Sequence, residues 1–282
     1  MRVALIANRA SGTGTDAEDI AARLRAGGAE VTPFDLGDVA SATRVDPERL
    51  VVAGGDGSVG IVAELASRTG APMAVVPTGT ANDFARELDL PSDLDGACAL
   101  AARPDARTVT LQLARAGERP FVNAAACGLS VVAARRAKPL KPKLGALAYA
   151  LGALRAGLTG RPIAVRVEDA SGRTVFDGRA WQAIVGATGA FGGGSGIEEA
   201  DPRDRLLDLV VVTARSRIAL VRRAFGLRTG RIARQPGVVH ARSTELRVLA
   251  PPGTRWNVDG EIGELNPSLF ANRGEDYAVV VP

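Results

Sequence analysis

The chain has 282 residues, 46% hydrophobic and 23% charged, an ordinary globular composition that sets disorder aside. Its 35 basic and 31 acidic residues leave a net charge of +4, too small an excess for a dedicated nucleic-acid binder. No stretch reaches the ~18 apolar residues of a membrane span, and Met1-Arg2 enters a strand pattern at once, so neither a span nor a secretion signal is expected.

The first strand, Val3 to Ala7, runs into Asn8-Arg9-Ala10-Ser11-Gly12-Thr13-Gly14. Thr15 and Glu18 read as a capping box for a helix carrying Ile20 and Leu24, which stops at Gly27-Gly28. Glu30 to Leu36 is a strand that Pro33 pushes to a sheet edge, and such an edge could pair two subunits into a homodimer. Leu50 to Ala53 then delivers Gly54-Gly55-Asp56-Gly57-Ser58 to a helix from Val59 to about Arg68. Glycines let backbone N–H groups approach a phosphoryl group, and a helix start adds partial positive charge there. Asp56 beside a phosphate is repulsive unless a cation such as Mg²⁺ lies between them. The same five residues also make a plain strand-to-helix turn.

A third unit follows. Ala74 to Val76 leads into Pro77-Thr78-Gly79-Thr80-Ala81-Asn82-Asp83-Phe84-Ala85-Arg86, with Asn82 or Asp83 capping a helix, and Pro91-Ser92 introduces another helix through Leu100. Alternating strands and helices predict an open parallel sheet, and the three loops at its carboxyl ends share one rim where ligands bind.

From Thr108 the pattern changes to short alternating strands: Thr108 to Leu113, Ile163 to Val167, Thr174 to Phe176, Trp181 to Gly186, Leu207 to Thr213, Val238 to Leu249 and Trp256 to Val258. They predict an antiparallel β-sandwich. The expected division is an α/β nucleotide-binding domain over 1–104 and a β-sandwich over 105–271, hinged at Pro104-Asp105, with a last strand near 272–282 returning to the first domain. Two basic segments interrupt the strands, Arg135 to Lys143 before an Ala/Leu helix from Leu144 to Leu158, and Arg215 to Arg234. They read equally as solvated faces and as contacts with an anionic membrane.

Absences narrow the chemistry. Lysine occurs only at Lys138, Lys141 and Lys143, so no glycine loop carries a Walker-type lysine. His240 is the sole histidine and lies in a strand pattern far from any nucleophile elbow. Cys98 and Cys127 sit in alanine-rich contexts, as buried thiols of a reducing compartment do, which points to the cytoplasm.

Gly54 to Ser58 together with Pro77 to Arg86 resembles the diacylglycerol kinase catalytic domain of bacterial lipid kinases, a superfamily with sphingosine, ceramide and, more distantly, NAD kinases. Further matches are Asn8 to Gly12, Asn123, Gly128, Phe191-Gly192-Gly193-Gly194 and Asp259-Gly260-Glu261. The resemblance implies an NAD kinase-like α/β domain plus a β-sandwich, with ATP and Mg²⁺ in the cleft between them. It implies a kinase acting on diacylglycerol or a similar lipid at the inner face of an anionic membrane, in phospholipid metabolism. Asn8, Arg9, Ala10, Ser11, Gly12, Gly54, Gly55, Gly57, Ser58, Gly79 and Thr80 would hold the nucleotide, and Asp56 the metal. Glu261 would be the general base for the lipid hydroxyl, with Asp259 orienting it or joining the metal shell; without the resemblance, Val258 to Glu261 is simply a hairpin turn. Asp204 falls on the family's second Mg²⁺ segment, but Arg205 replaces its glycine. Ser58 stands for the usual threonine, Gly60-Ile61 for an Asn-Glu pair, and Arg9 for proline.

Overall fold

A computed structural model of the protein describes residues 1–8, 16–137, 157, 159–192, 195–197, 200–213, 220, 232–265 and 268–282. The first part comprises β1 (Arg2–Ala7), α1 (Ala17–Ala26), β2 (Glu30–Asp35), a 3-10 stretch (Leu36–Val45), β3 (Arg49–Gly54), α2 (Asp56–Thr69), β4 (Met73–Pro77), α3 (Asp83–Glu87) and α4 (Leu94–Ala102). There follow β5 (Thr108–Ala116), β6 (Arg119–Phe121), β7 (Ala124–Gly128), α5 (Leu129–Ala137), β8 (Ile163–Asp169), β9 (Thr174–Ala180), β10 (Gln182–Gly186), β11 (Ala190–Phe191) and β12 (Ser195–Gly196). The last strands are β13 (Leu207–Val212), β14 (Val238–Ser243), β15 (Glu245–Leu249), β16 (Arg255–Val258), β17 (Glu261–Glu264) and β18 (Ser268–Val280).

Strands β2, β1, β3 and β4 lie side by side and parallel. β3 and most of β1 and β4 are buried, as their unbroken apolar runs require of strands covered on both faces. β2, with Pro33, pairs only with β1 and forms the expected edge. α1 is capped by Asp16, whose carboxylate accepts from the Glu18 amide at 3.2 Å; the predicted cap Thr15 lies outside the described residues. Likewise Asp93 caps α4 by accepting from the Gly96 amide at 2.7 Å.

α2 starts at Asp56 rather than at Val59. The Ser58 and Val59 amides both donate to the Gly55 carbonyl, at 2.9 and 3.2 Å, so the glycine motif is itself the first helical turn. A sequence rich in glycine looks like loop, yet here the turn is held by neighbours packed on either side.

The second part is a β-sandwich. One layer is the antiparallel sheet β14-β13-β10-β7-β16-β17; the facing layer consists of β5, β18, β15, β8 and β9. Between them Trp256 packs on Phe270 with ring centroids 4.8 Å apart, and Phe121 meets Phe270 edge-on at 6.3 Å. The predicted strand Val238 to Leu249 is two strands: the chain crosses between layers at Thr244, so β14 and β15 belong to different sheets. β7, reading Ala-Ala-Ala-Cys-Gly, has no β-branched residue to announce it, yet it pairs with both β10 and β16. It ends at Gly128, whose φ of +97° turns the chain into α5.

The two parts share a sheet. β18 runs parallel to β4 at Val279 and antiparallel to β5 along its length, while its first residues pair with β15. The result is one ten-stranded sheet from β2 to β9, irregular in β18 between Asn272 and Asp276.

Candidate active site

β3 and β4 deliver their loops side by side. The Thr78 amide donates to the Gly54 carbonyl at 3.1 Å, and a Cβ on Gly79 would lie 2.5 Å from the Gly55 Cα. A Cβ on Gly54 would lie 2.6 Å from the Ser58 side chain. These glycines therefore let protein pack on protein. Asn8, at the end of β1, joins them by donating from Nδ2 to the Ser58 hydroxyl at 3.0 Å. Arg9, Ala10, Ser11 and Gly12 lie outside the described residues. Thr80 is exposed on the rim. Asn82 adopts φ +49° and donates from Nδ2 to the Gly79 carbonyl at 3.1 Å, and buried Asp83 pairs with Arg86, so both serve the loop's shape.

Asp56 opens α2. Its Oδ1 accepts from the Phe84 amide at 3.0 Å and from Nδ2 of Asn123 at 2.9 Å. Among the described residues its Oδ2 accepts no hydrogen bond, which leaves one carboxylate oxygen at a helix N-terminus for a hard cation. This donor set fits Mg²⁺ held directly or through water.

Asp259 is aimed elsewhere. Its Oδ2 accepts from the Val122 amide at 2.7 Å, and its Oδ1 from the amides of Asn123 and Ala124 at 3.0 and 3.1 Å. The residue as a whole is partly exposed, but its carboxylate is enclosed by these groups. Burial pushes its pKa up to about 7, against the pull of the three amides and with a further push from the Asp56 charge. Its φ is +46°, the left-handed first corner of the turn into Gly260.

Glu261, two residues on, reaches the start of α2. A Cβ on Gly57 would sit 3.1 Å from its Oε1, and its Oε2 pairs with Arg119 Nη2 at 2.8 Å. The Glu261 side chain is 64% exposed, so this carboxylate remains open to an incoming molecule. Arg119, on β6, also donates to the Val258 carbonyl at 3.3 Å, which fixes the guanidinium against the turn. The geometry thus brings Asp56, Asp259 and Glu261 to one end of α2. Arg119 escaped the sequence reading because nothing in spacing links it to a glutamate 142 residues away.

The acidic segment around Asp204 is different. Asp204 pairs with Arg242, and Asp208, 1% exposed, accepts from Arg242 Nε at 3.1 Å and lies 2.6 Å from His240 Nε2. Arg205, at φ +63° where a glycine would be at ease, pairs with Asp276. Asp204 accepts at Oδ1 from the Leu206 amide and pairs at Oδ2 with Arg242, so it is a poor candidate for a metal ligand, while Asp208 keeps one buried oxygen without a hydrogen-bond partner. The two thiols are also quiet: burial pushes Cys98 up to about 11 and Cys127 up to about 12, so neither is a ready nucleophile at neutral pH. No described helix is long and apolar enough to cross a membrane. The Ala/Leu helix from Leu144 and nearly all of the Arg215 to Arg234 segment lie outside the described residues.

Comparison with known proteins finds relatives over nearly the whole chain. Residues 2–114 match the family model described as the diacylglycerol kinase catalytic domain, and residues 123–280 match the YegS C-terminal NAD kinase beta sandwich-like domain. Among curated relatives, a diacylglycerol kinase of Staphylococcus epidermidis is 28% identical over 240 residues, spanning 83% of this chain and 74% of the relative. One from Staphylococcus aureus is 26% identical over 279 residues, spanning 94% of this chain and 86% of the relative. A crystal structure of a diacylglycerol kinase from Bacillus anthracis superposes with a TM-score of 0.78 at 20% identity, covering 100% of this chain and 97% of that one, and so shows the same fold.

Proposed function

Because the chain belongs to the family of the YegS C-terminal NAD kinase beta sandwich-like domain, and its residues 2–114 match the diacylglycerol kinase catalytic domain, we propose that it transfers the γ-phosphoryl group of ATP to the hydroxyl of diacylglycerol or a similar lipid. The observation that carries this reading is the placement of the Glu261 carboxylate against Gly57, beside Asp56 at the N-terminus of α2. There an accepting base, a charge-bearing acid and the positive end of a 14-residue helix converge, as phosphoryl transfer requires.

The Asp56 and Gly57 amides at the start of α2 would face the phosphate oxygens, and Arg119 adds a cation where no lysine exists. Asp56 would hold Mg²⁺, which when bound would neutralise charge on the phosphates. Glu261 accepts the hydroxyl proton of the lipid as that oxygen bonds to the γ-phosphorus, and the bond from phosphorus to the β,γ-bridging oxygen breaks to release ADP. Asp259, tied to three amides, holds the turn that presents Glu261 and does not itself reach the reacting oxygen. Acting on a bilayer lipid, the protein would work as a peripheral protein at the cytoplasmic face of an anionic membrane.

The test is transfer of label from γ-labelled ATP with Mg²⁺ into mixed micelles containing diacylglycerol, monoacylglycerol, sphingosine, ceramide or undecaprenol. Label in diacylglycerol that is lost in Asp56→Ala and Glu261→Gln supports the proposal. Label in another lipid alone reassigns the substrate, and none in any lipid rejects the kinase reading.

A further inference from the structure

We infer that Asn123, held by Thr188, is a positioning residue that aims the Asp56 carboxylate at its cation. Asn123 lies between β6 and β7 and is 2% exposed; Thr188 follows β10 and is 1% exposed. Every polar group of Asn123 is engaged. Its backbone amide donates to Asp259 Oδ1 at 3.0 Å, and its carbonyl accepts from the Ala187 and Thr188 amides at 2.8 and 3.3 Å. Its side chain donates from Nδ2 to Asp56 Oδ1 at 2.9 Å and accepts at Oδ1 from the Thr188 hydroxyl at 3.2 Å.

The last two contacts define which way the amide faces. Turned over, its oxygen would stand 2.9 Å from the Asp56 carboxylate, acceptor against acceptor. The Thr188 hydroxyl, with the Ala190 carbonyl at 3.4 Å as a second acceptor, anchors the amide oxygen in the orientation that Asp56 selects. Asp56 Oδ1 is then saturated by two N–H donors, one from α3 in the first part of the chain and one from the sandwich. Its carboxylate plane is fixed, and Oδ2 is the oxygen left over. The same residue ties Asp259 by its backbone, so one asparagine sets the spacing of the two acids.

The inference rests on the kinase reading only in giving Asp56 a cation to hold. It is tested with Mn²⁺ in place of Mg²⁺ and a non-hydrolysable ATP analogue, reading bound Mn²⁺ by electron paramagnetic resonance and, separately, analogue binding without metal. Thr188→Val removes the neutral hydrogen bond that anchors the amide donating to the ionised Asp56, and should weaken Mn²⁺ binding about 5-fold. Thr188→Ser should restore it, Asn123→Leu should weaken it at least as much as Thr188→Val, and metal-free analogue binding should stay as in the wild type. Wild-type Mn²⁺ affinity in both Thr188→Val and Asn123→Leu overturns the inference, as does equal loss of metal-free binding, which marks a merely structural role. A wild-type protein that binds Mn²⁺ with the analogue yet labels no lipid would sink the kinase reading and leave this one standing; one that binds no Mn²⁺ overturns this one.

Discussion

The carboxylate of Glu261 rests on the Cα of Gly57, close enough that a single methyl group between them would lie 3.1 Å from Oε1. Gly57→Ala therefore separates stability from activity. Alanine in a helix is favoured over glycine by about 1 kcal/mol, and the crowded atom is the far end of a flexible side chain. The variant should melt at or above the wild-type temperature while its turnover falls about 10-fold or more, as the displaced base loses its hydrogen-bond reach. Calorimetry and a lipid phosphorylation assay on the same preparation check both halves.

Glu261→Gln keeps the shape and removes the base, so kcat should fall by about 100-fold or more with little change in KM for ATP. Arg119→Ala frees the Glu261 carboxylate from its guanidinium partner and should lower kcat too, with the loss partly recovered by Arg119→Lys. Steady-state kinetics across a pH series distinguishes a lost base from a misplaced one.

Asp259 makes stability depend on pH in a stated direction. Its pKa is raised from 3.8 to about 7, so the folded state holds this proton more tightly than the unfolded one. Its contribution is neutral at low pH, becomes a growing penalty as pH rises from the unfolded value toward 7, and is constant above that. Asp259→Asn should be destabilised by its lost acceptor at low pH, yet show a flatter decline from pH 5 to 8 than the wild type. Both proteins keep the His240–Asp208 contact, so the difference in slope reports Asp259. Urea unfolding at several pH values measures it.

Arg242 and Arg205 should differ sharply. Arg242 neutralises Asp208, one of whose oxygens is buried without a hydrogen-bond partner, so Arg242→Ala should cost about 3 kcal/mol. Arg205 makes an exposed pair with Asp276 and sits at a positive φ, so Arg205→Gly should change stability by less than about 1 kcal/mol. Without nucleotide, EDTA should leave the melting temperature unchanged, since guanidinium groups and not a metal neutralise this cluster.

The parallel strands and their loops are legible in the sequence because each signal is local. Val51 to Asp56 shows an apolar run, its glycines and its acid within a few residues. The antiparallel layer is legible as a class, but its boundaries are not. β7 is too small-residued to announce itself, and the layer change at Thr244 leaves no mark in the alternation of Val238 to Leu249. At the site, Asp56 and Glu261 stand out through their motifs, whereas Arg119, Thr188 and the bond from Asn123 to Asp56 arise from chain segments 65 to 142 residues apart. The reason for the glycines differs from the one the sequence suggests: Gly54, Gly55 and Gly79 make room for neighbouring protein atoms.

The ten-stranded sheet has a mechanical consequence. β5 and β18 are hydrogen-bonded to each other from Thr108–Val280 to Ala116–Phe270, one end in each half of the molecule. That ladder, broken once between Asn272 and Asp276, ties the halves together on both sides of the break, so a swing about Pro104-Asp105 would have to bend the sheet at that irregularity. On the proposed reaction, shielding the transferred phosphate from water would fall to smaller pieces, such as the turn at Gly260. On the proposed reaction the lipid substrate completes the cover, so hydrolysis of ATP without transfer is expected to be lowest when that lipid is present.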